Sequence, residues 1–244
     1  MEMQDRFVTR TSAQEAIDVG LREHMLRVYN YMASGLALSG IVAYLIANTG
    51  VKSVFFTTAA NGQVGLTLLG ILGILAPLAF VLVLSFGINK LSFPAAQAVF
   101  WVYTATMGVS LATILLQFTG ASVARVFFIT SGTFAAMSLY GYTTKRDLSQ
   151  FGSFLFMGLI GLILASVVNI FVASSALQFA ISVIGVLLFV GLTAYDTQRI
   201  KEVYLESDSS EIAGKKALMG ALTLYLDFIN LFTFLMQLLG TRRD

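Results

Sequence analysis

The chain of 244 residues contains no cysteine. Disulfides, zinc thiolates, iron–sulfur clusters and thiol catalysis are therefore excluded. A single histidine, His24, leaves no polyhistidine metal site. Charge is scarce: 11% of residues are Asp, Glu, Lys or Arg, about half of the roughly 25% usual in a soluble domain. The net charge of +2 is too small to mark a nucleic-acid partner. No cleavable leader is expected, because residues 1–27 are polar and mixed in sign and the first apolar run is long enough to span.

What is present is apolar: 57% of residues are hydrophobic. The 28 charges cluster, nine of them within the first 27 residues. Uncharged runs then cover 28–51, 53–89, 91–124, 126–144 and 148–195. A helix needs about 20 apolar residues to cross roughly 30 Å of hydrocarbon, and no soluble core of this size hides five such runs. The runs are continuous rather than alternating, so the spans are helices and not barrel strands. The chain reads as an all-α membrane protein, and a soluble enzyme is excluded.

Seven spans are expected, at about 29–47, 64–86, 95–116, 122–143, 151–172, 177–199 and 216–239. Thr57–Gln63 is a polar break, Pro94 suits a helix start, and Ala173–Ala176 divides the longest run. The expected organisation is a segment 1–27 on the cytoplasmic side, one seven-helix transmembrane domain over 28–240, and a tail at 241–244. With the N-terminus in the cytoplasm, eleven Lys and Arg lie in inside segments and four, Lys52, Arg125, Arg242 and Arg243, lie outside. An odd number of spans puts the C-terminus outside, although Arg242 and Arg243 argue for the opposite side if the seventh helix fails to cross.

Residues 12–27 read as a short interfacial helix, with Ser12 and Glu15 at capping-box spacing and His24 solvated or interfacial. Gly35 with Ser39, Gly161 with Ala165, and Ala217 with Ala221 allow close helix approach. Pro77 falls mid-span and predicts a kink. The segment 200–215 reads as a solvated extension of the sixth span.

Ionisable groups inside hydrocarbon are costly and point to function. Arg125 snorkels from a span end. Asp196 lies near the end of the sixth span and Asp227 near the middle of the seventh. Asp227 is eleven residues beyond Lys216, about 16 Å deep at 1.5 Å per residue. One reading is structural: Asp227 is a protonated core acid satisfied by Thr223 and Asn230, and Asp196 is ion-paired with Arg199. The sharper reading pairs the acids so that they share a proton and, when deprotonated, offer oxygen ligands to a cation such as calcium. Spacing alone does not bring them together, since Asp196 reads as shallower.

The segments Tyr195-Asp196-Thr197-Gln198-Arg199-Ile200 and Leu224-Tyr225-Leu226-Asp227-Phe228-Ile229-Asn230-Leu231-Phe232 resemble the signature regions of the Bax inhibitor family. Leu21 to Gly40 resembles the entry to the first helix in bacterial members. The resemblance implies six helices around a central seventh, and a pH-sensitive calcium leak latched by Asp196 and Asp227, with calcium as a transient ligand and permeant and no cofactor. It also implies an inner-membrane location. The alternative is a non-channel regulator or interaction protein, such as a modulator of a membrane-bound ATP-dependent protease. Enzymatic readings fare worse: Leu224-Tyr225-Leu226-Asp227 lacks the glycines of an intramembrane aspartyl protease, and no span holds the histidine of a rhomboid-type protease.

Overall fold

The computed structural model describes the backbone of residues 2–58 and 64–243 and the side chains of 19–57 and 65–243. Seven of its helices are long and apolar enough to cross a membrane. They are α1 (Glu2–Asn48), α3 (Leu68–Gly87), α4 (Phe93–Gln117), α5 (Gly120–Thr143), α6 (Ser149–Val172), α7 (Ser175–Glu202) and α8 (Ser210–Leu239). A single-turn α2 (Lys52–Phe55) and a hairpin of β1 (Phe56–Thr58) and β2 (Val64–Leu66) join α1 to α3.

An apolar run in lipid must satisfy its backbone internally, and the helix does so. The starts are set by short hydroxyl side chains. Thr67, Thr119, Ser174 and Ser209 each accept from a backbone N–H three residues on, which relieves donors the first turn leaves unpaired. Pro94 sits in the first turn of α4, as its fixed φ suits. The turn between α6 and α7 places Ala173 at φ 50°. Asn169 holds this costly conformation by accepting from Ser174 N at 3.1 Å.

Three expectations change. Residues 12–27 are not a separate short helix; α1 runs unbroken from Glu2 to Asn48. The side chains of Ser12, Glu15 and Ile17 lie outside the described residues. The third helix begins at Leu68 rather than 64, because 64–66 pair with 56–58 as strands. Segment 200–215 is not an extension of α7, which ends at Glu202; α8 begins at Ser210. Pro77 lies within α3, as its mid-span position implies.

Helix α8 is the hub. About two-thirds of its apolar window (67%) is buried, against 17–39% in the other spans. It packs chiefly on α1, α4, α5 and α7, while α3 rests on α4 and α6 on α7. The outer helices turn apolar side chains outward, such as Phe86 (81% exposed) and Phe171 (84% exposed), which suits contact with lipid.

The hub is fastened by polar as well as apolar contacts. Tyr225 OH donates to Ser39 Oγ at 2.7 Å. Ser39 Oγ in turn donates to the Thr104 carbonyl at 2.6 Å, so α8, α1 and α4 share one chain of bonds. The Tyr103 ring meets Tyr225 edge-on at 5.4 Å. Replacing Tyr225 by Phe keeps this packing and removes one bond. The expected loss is about 0.5–1 kcal/mol, read as a fall of about 2 °C in a thermal melt.

Candidate functional site

Close backbone approach sets the register of α7 on α8. A Cβ on Gly220 would meet Ile200 at 3.0 Å, and one on Gly185 would meet the Phe234 ring at 2.7 Å. In that register Asp196 stands about a turn from Asp227 along the paired axes. There the two carboxyls are neighbours across the α7–α8 contact. Asp196 lies nearer the charged end than Asp227, as its shallower position in the sequence implies, and the difference is only about a turn because of the length of α8. Its N-terminal turns reach well beyond the end of α7, so Asp227 lies 17 residues into α8 and Asp196 six residues from the end of α7.

Asp227 is 4% exposed, and its Oδ2 receives no N–H or O–H among the described residues. Two unit charges about 4 Å apart repel by about 4 kcal/mol even at an effective dielectric of about 20. A proton held between the two carboxyls would remove this repulsion and give Asp227 the donor it lacks. Asp196 is only half buried, so the pair has one dry and one wetter member.

The supporting bonds expected from sequence are absent. Thr223 Oγ1 donates to the Met219 carbonyl at 3.1 Å, and Asn230 Nδ2 donates to the Leu226 carbonyl at 2.8 Å. Both side chains serve their own helix, as hydroxyl and amide groups do when the i−4 carbonyl is within reach. Arg199 is exposed and makes no ion pair with Asp196; the ion pairs among the described residues are Lys215–Glu211 and Lys216–Asp208. The acids are therefore left to each other.

A pocket of about 600 Å³ runs from the charged end of the bundle to Asp196. Arg199, Lys215 and Lys216 line it, with Thr223 toward its inner part. Lys216 Nζ donates to the Val203 carbonyl at 2.9 Å and to Asp208 Oδ2 at 2.6 Å. It thereby ties the 203–209 connection beside this mouth.

Several residues of the site do not stand out in the sequence. Gln198, next but one to Asp196, accepts from Leu148 N at 2.8 Å and donates to the Arg146 carbonyl at 2.9 Å. Tyr29 OH lies 2.6 Å from Ser138 Oγ, which lies 3.0 Å from Thr197 Oγ1. The available signal is the run of polar side chains at 193–198 in an otherwise apolar helix. His24 is corrected: it is 6% exposed, not solvated. Its ring lies 5.6 Å from that of Tyr204 and against the Ile200 carbonyl. Tyr204 fits there because Gly20, one turn before His24, has no side chain; a Cβ would lie 1.9 Å from the Tyr204 hydroxyl. Arg125 is exposed near the start of α5, consistent with snorkelling.

A seven-helix membrane bundle with a buried carboxyl on its central helix and a second on the helix packed against it is the class this architecture defines. Comparison with known sequences agrees. A family model described as "Inhibitor of apoptosis-promoting Bax1" matches residues 21–244, and the chain belongs to this Bax inhibitor family. It is 48% identical over 226 residues to the inner membrane protein YbhL of Escherichia coli K12, covering 92% of this chain and 94% of that protein. It is 48% identical over 237 residues to a protein of Rickettsia prowazekii, covering 97% of each. A protein of Caulobacter vibrioides is 44% identical over 241 residues, covering 98% of this chain and 96% of that one.

Proposed function

We propose that the protein is a pH-sensitive calcium leak channel of the inner membrane, gated by the proton shared between Asp196 and Asp227. The observation that carries this reading is the facing carboxyl pair at the inner end of an open pocket. Family membership supports it, and the name of the Escherichia coli relative supports the inner membrane. The reading takes the N-terminus to be cytoplasmic, and the gathering of Arg22, Lys90, Lys145, Arg146, Arg199, Lys201, Lys215 and Lys216 at the end where α1 enters supports it. The C-terminus then faces outward. Helix α8 spans the bundle, and Arg243 N donates to the Gln117 carbonyl at the opposite end.

The pair works as a latch without a chemical step, so no enzymatic activity is expected. With one proton, the carboxyls bind each other and hold α7 to α8. Without it, they repel, and both are exposed to a cation entering from the pocket. No third acid or histidine joins them among the described residues. A calcium ion there would complete its shell of six to eight oxygens with water and carbonyl groups, and so bind weakly enough to pass. Calcium flux into liposomes containing the purified protein, measured at two pH values, is the test. Flux indifferent to pH contradicts the latch. Silent liposomes together with a co-purifying protease would favour the regulator instead.

A further inference from the structure

Both α1 and α5 pack on α8, yet they touch each other sparingly, as at the Tyr29–Ser138 bond. Their facing sides leave a lateral cleft floored by α8, where the Phe228 ring meets Phe134 at 5.6 Å and Phe127 at 5.7 Å. Two pockets lie end to end in it. One of about 680 Å³ spans Arg22 to Ala33 of α1 and Phe134 to Tyr142 of α5. The other, of about 410 Å³, includes Leu36 to Tyr44 of α1 and Gly120 to Phe128 of α5. From Arg22 to Tyr44 helix α1 rises about 33 Å, close to the roughly 30 Å of the hydrocarbon layer. Small residues keep the cleft open. A Cβ on Gly40 or on Gly120 would meet nothing within 4 Å.

The walls are apolar except at the charged end of the bundle. There Arg22 is exposed at the rim. Lys201 Nζ donates to the Tyr142 carbonyl at 2.9 Å and sits 5.4 Å from the centre of the Tyr142 ring, and Tyr142 itself lines the pocket. No acidic side chain lines either pocket. We propose that this cleft is a binding site for an anionic phospholipid, with the phosphate between Arg22 and Lys201 and an acyl chain lying along Met32 and Phe134. The charged rim favours a lipid over a partner helix, because an anionic headgroup meets Arg22 and Lys201 while its chain meets the apolar walls below. The cationic mouth lies at headgroup depth, where long basic side chains reach phosphate. Tyr29 and Ser138 line the same pocket, and their bond continues to Thr197, the neighbour of Asp196. Occupancy of the cleft therefore bears on the position of α7.

The test is retention of lipid by the full chain, purified in a neutral detergent and examined by native mass spectrometry. Phosphatidylglycerol and phosphatidylcholine with the same chains are the probes, and no flux measurement is required. One phosphatidylglycerol is expected to be retained about tenfold better than phosphatidylcholine, whose choline cation offsets the attraction of the two basic side chains for its phosphate. Arg22→Gln with Lys201→Gln removes the preference. Ala135→Trp and, from the opposite wall, Ala33→Trp fill the cleft and lower retention of both lipids. Gly161→Trp, on the open outer face of α6, leaves retention unchanged. Melting curves confirm that each variant is folded. Equal retention of the two lipids by the wild type, or retention unchanged by both the charge and the cleft-filling variants, overturns the proposal. So does a second copy or a partner protein that is lost on filling the cleft while lipid retention is not.

Discussion

Proteoliposomes carrying Asp227→Asn are expected to show a calcium leak that no longer changes between about pH 6 and 8, the interval in which a shared-proton pair is tested. For the wild type the leak rate is expected to rise with pH. The sign follows from the geometry. Removing the shared proton puts two negative charges side by side on packed helices, and the repulsion favours their separation. One exchanged proton sets the steepness, at most about tenfold per pH unit. An asparagine at position 227 can still bond to Asp196 but cannot form the doubly charged state, so the latch stays closed. Asp196→Asn is expected to give the same phenotype. The double variant adds nothing further, because each change removes the same interaction. Asp147→Asn is the control, since that acid lies in the exposed α5–α6 connection. A pH response that survives in both single variants rules out the carboxyl pair as the gate.

The parts of this molecule legible in sequence are those fixed by the cost of charge in hydrocarbon. Uncharged runs locate seven spans, and the same cost singles out Asp196 and Asp227. The parts that escape a sequence reading depend on contacts between distant segments. The juxtaposition of the two acids is set by Gly185 against Phe234 and Gly220 against Ile200, which no single-helix pattern reveals. Of the small-residue pairs, Gly35 meets Thr104 and Phe100 at a real interface, while Gly161 faces open space. Spacing cannot tell such faces apart. Helix α8 starts earlier than its apolar run suggests, because Lys215 and Lys216 look like loop residues. A helix continues through charges wherever it projects beyond the hydrocarbon or finds ion pairs, as both lysines do. His24 reads as solvated because the group that buries it, Tyr204, lies 180 residues away in a connection with no pattern of its own. The hairpin strands are three residues each, too short to show any periodicity.

Gly141→Ala should be strongly damaging for so small a substitution, and its effect should reach the site. A Cβ there would lie 2.2 Å from the Ala194 carbonyl oxygen, with the rest of that peptide at 2.9 Å. The obstacle is backbone, so no rotamer change relieves it, and α7 must move away from α5. Overpacking of this kind costs about 1–3 kcal/mol. On a chain of this size the melting temperature falls by about 2–4 °C for each kcal/mol. Gly161→Ala provides the contrast, since a methyl there meets nothing within 4 Å. Its expected effect is neutral, or a gain of about 0.5–1 kcal/mol from the lower backbone entropy of alanine. Ala194 is two residues from Asp196, so the shift that accommodates the added methyl also displaces the carboxyl facing Asp227. The Gly141 variant should therefore lose both stability and the pH dependence of the leak, whereas the Gly161 variant loses neither. A Gly141 variant that melts early but keeps the full pH response would mean that the carboxyl pair tolerates movement of α7. In that case the gate lies in the repulsion between the acids and not in the fixed register of the two helices.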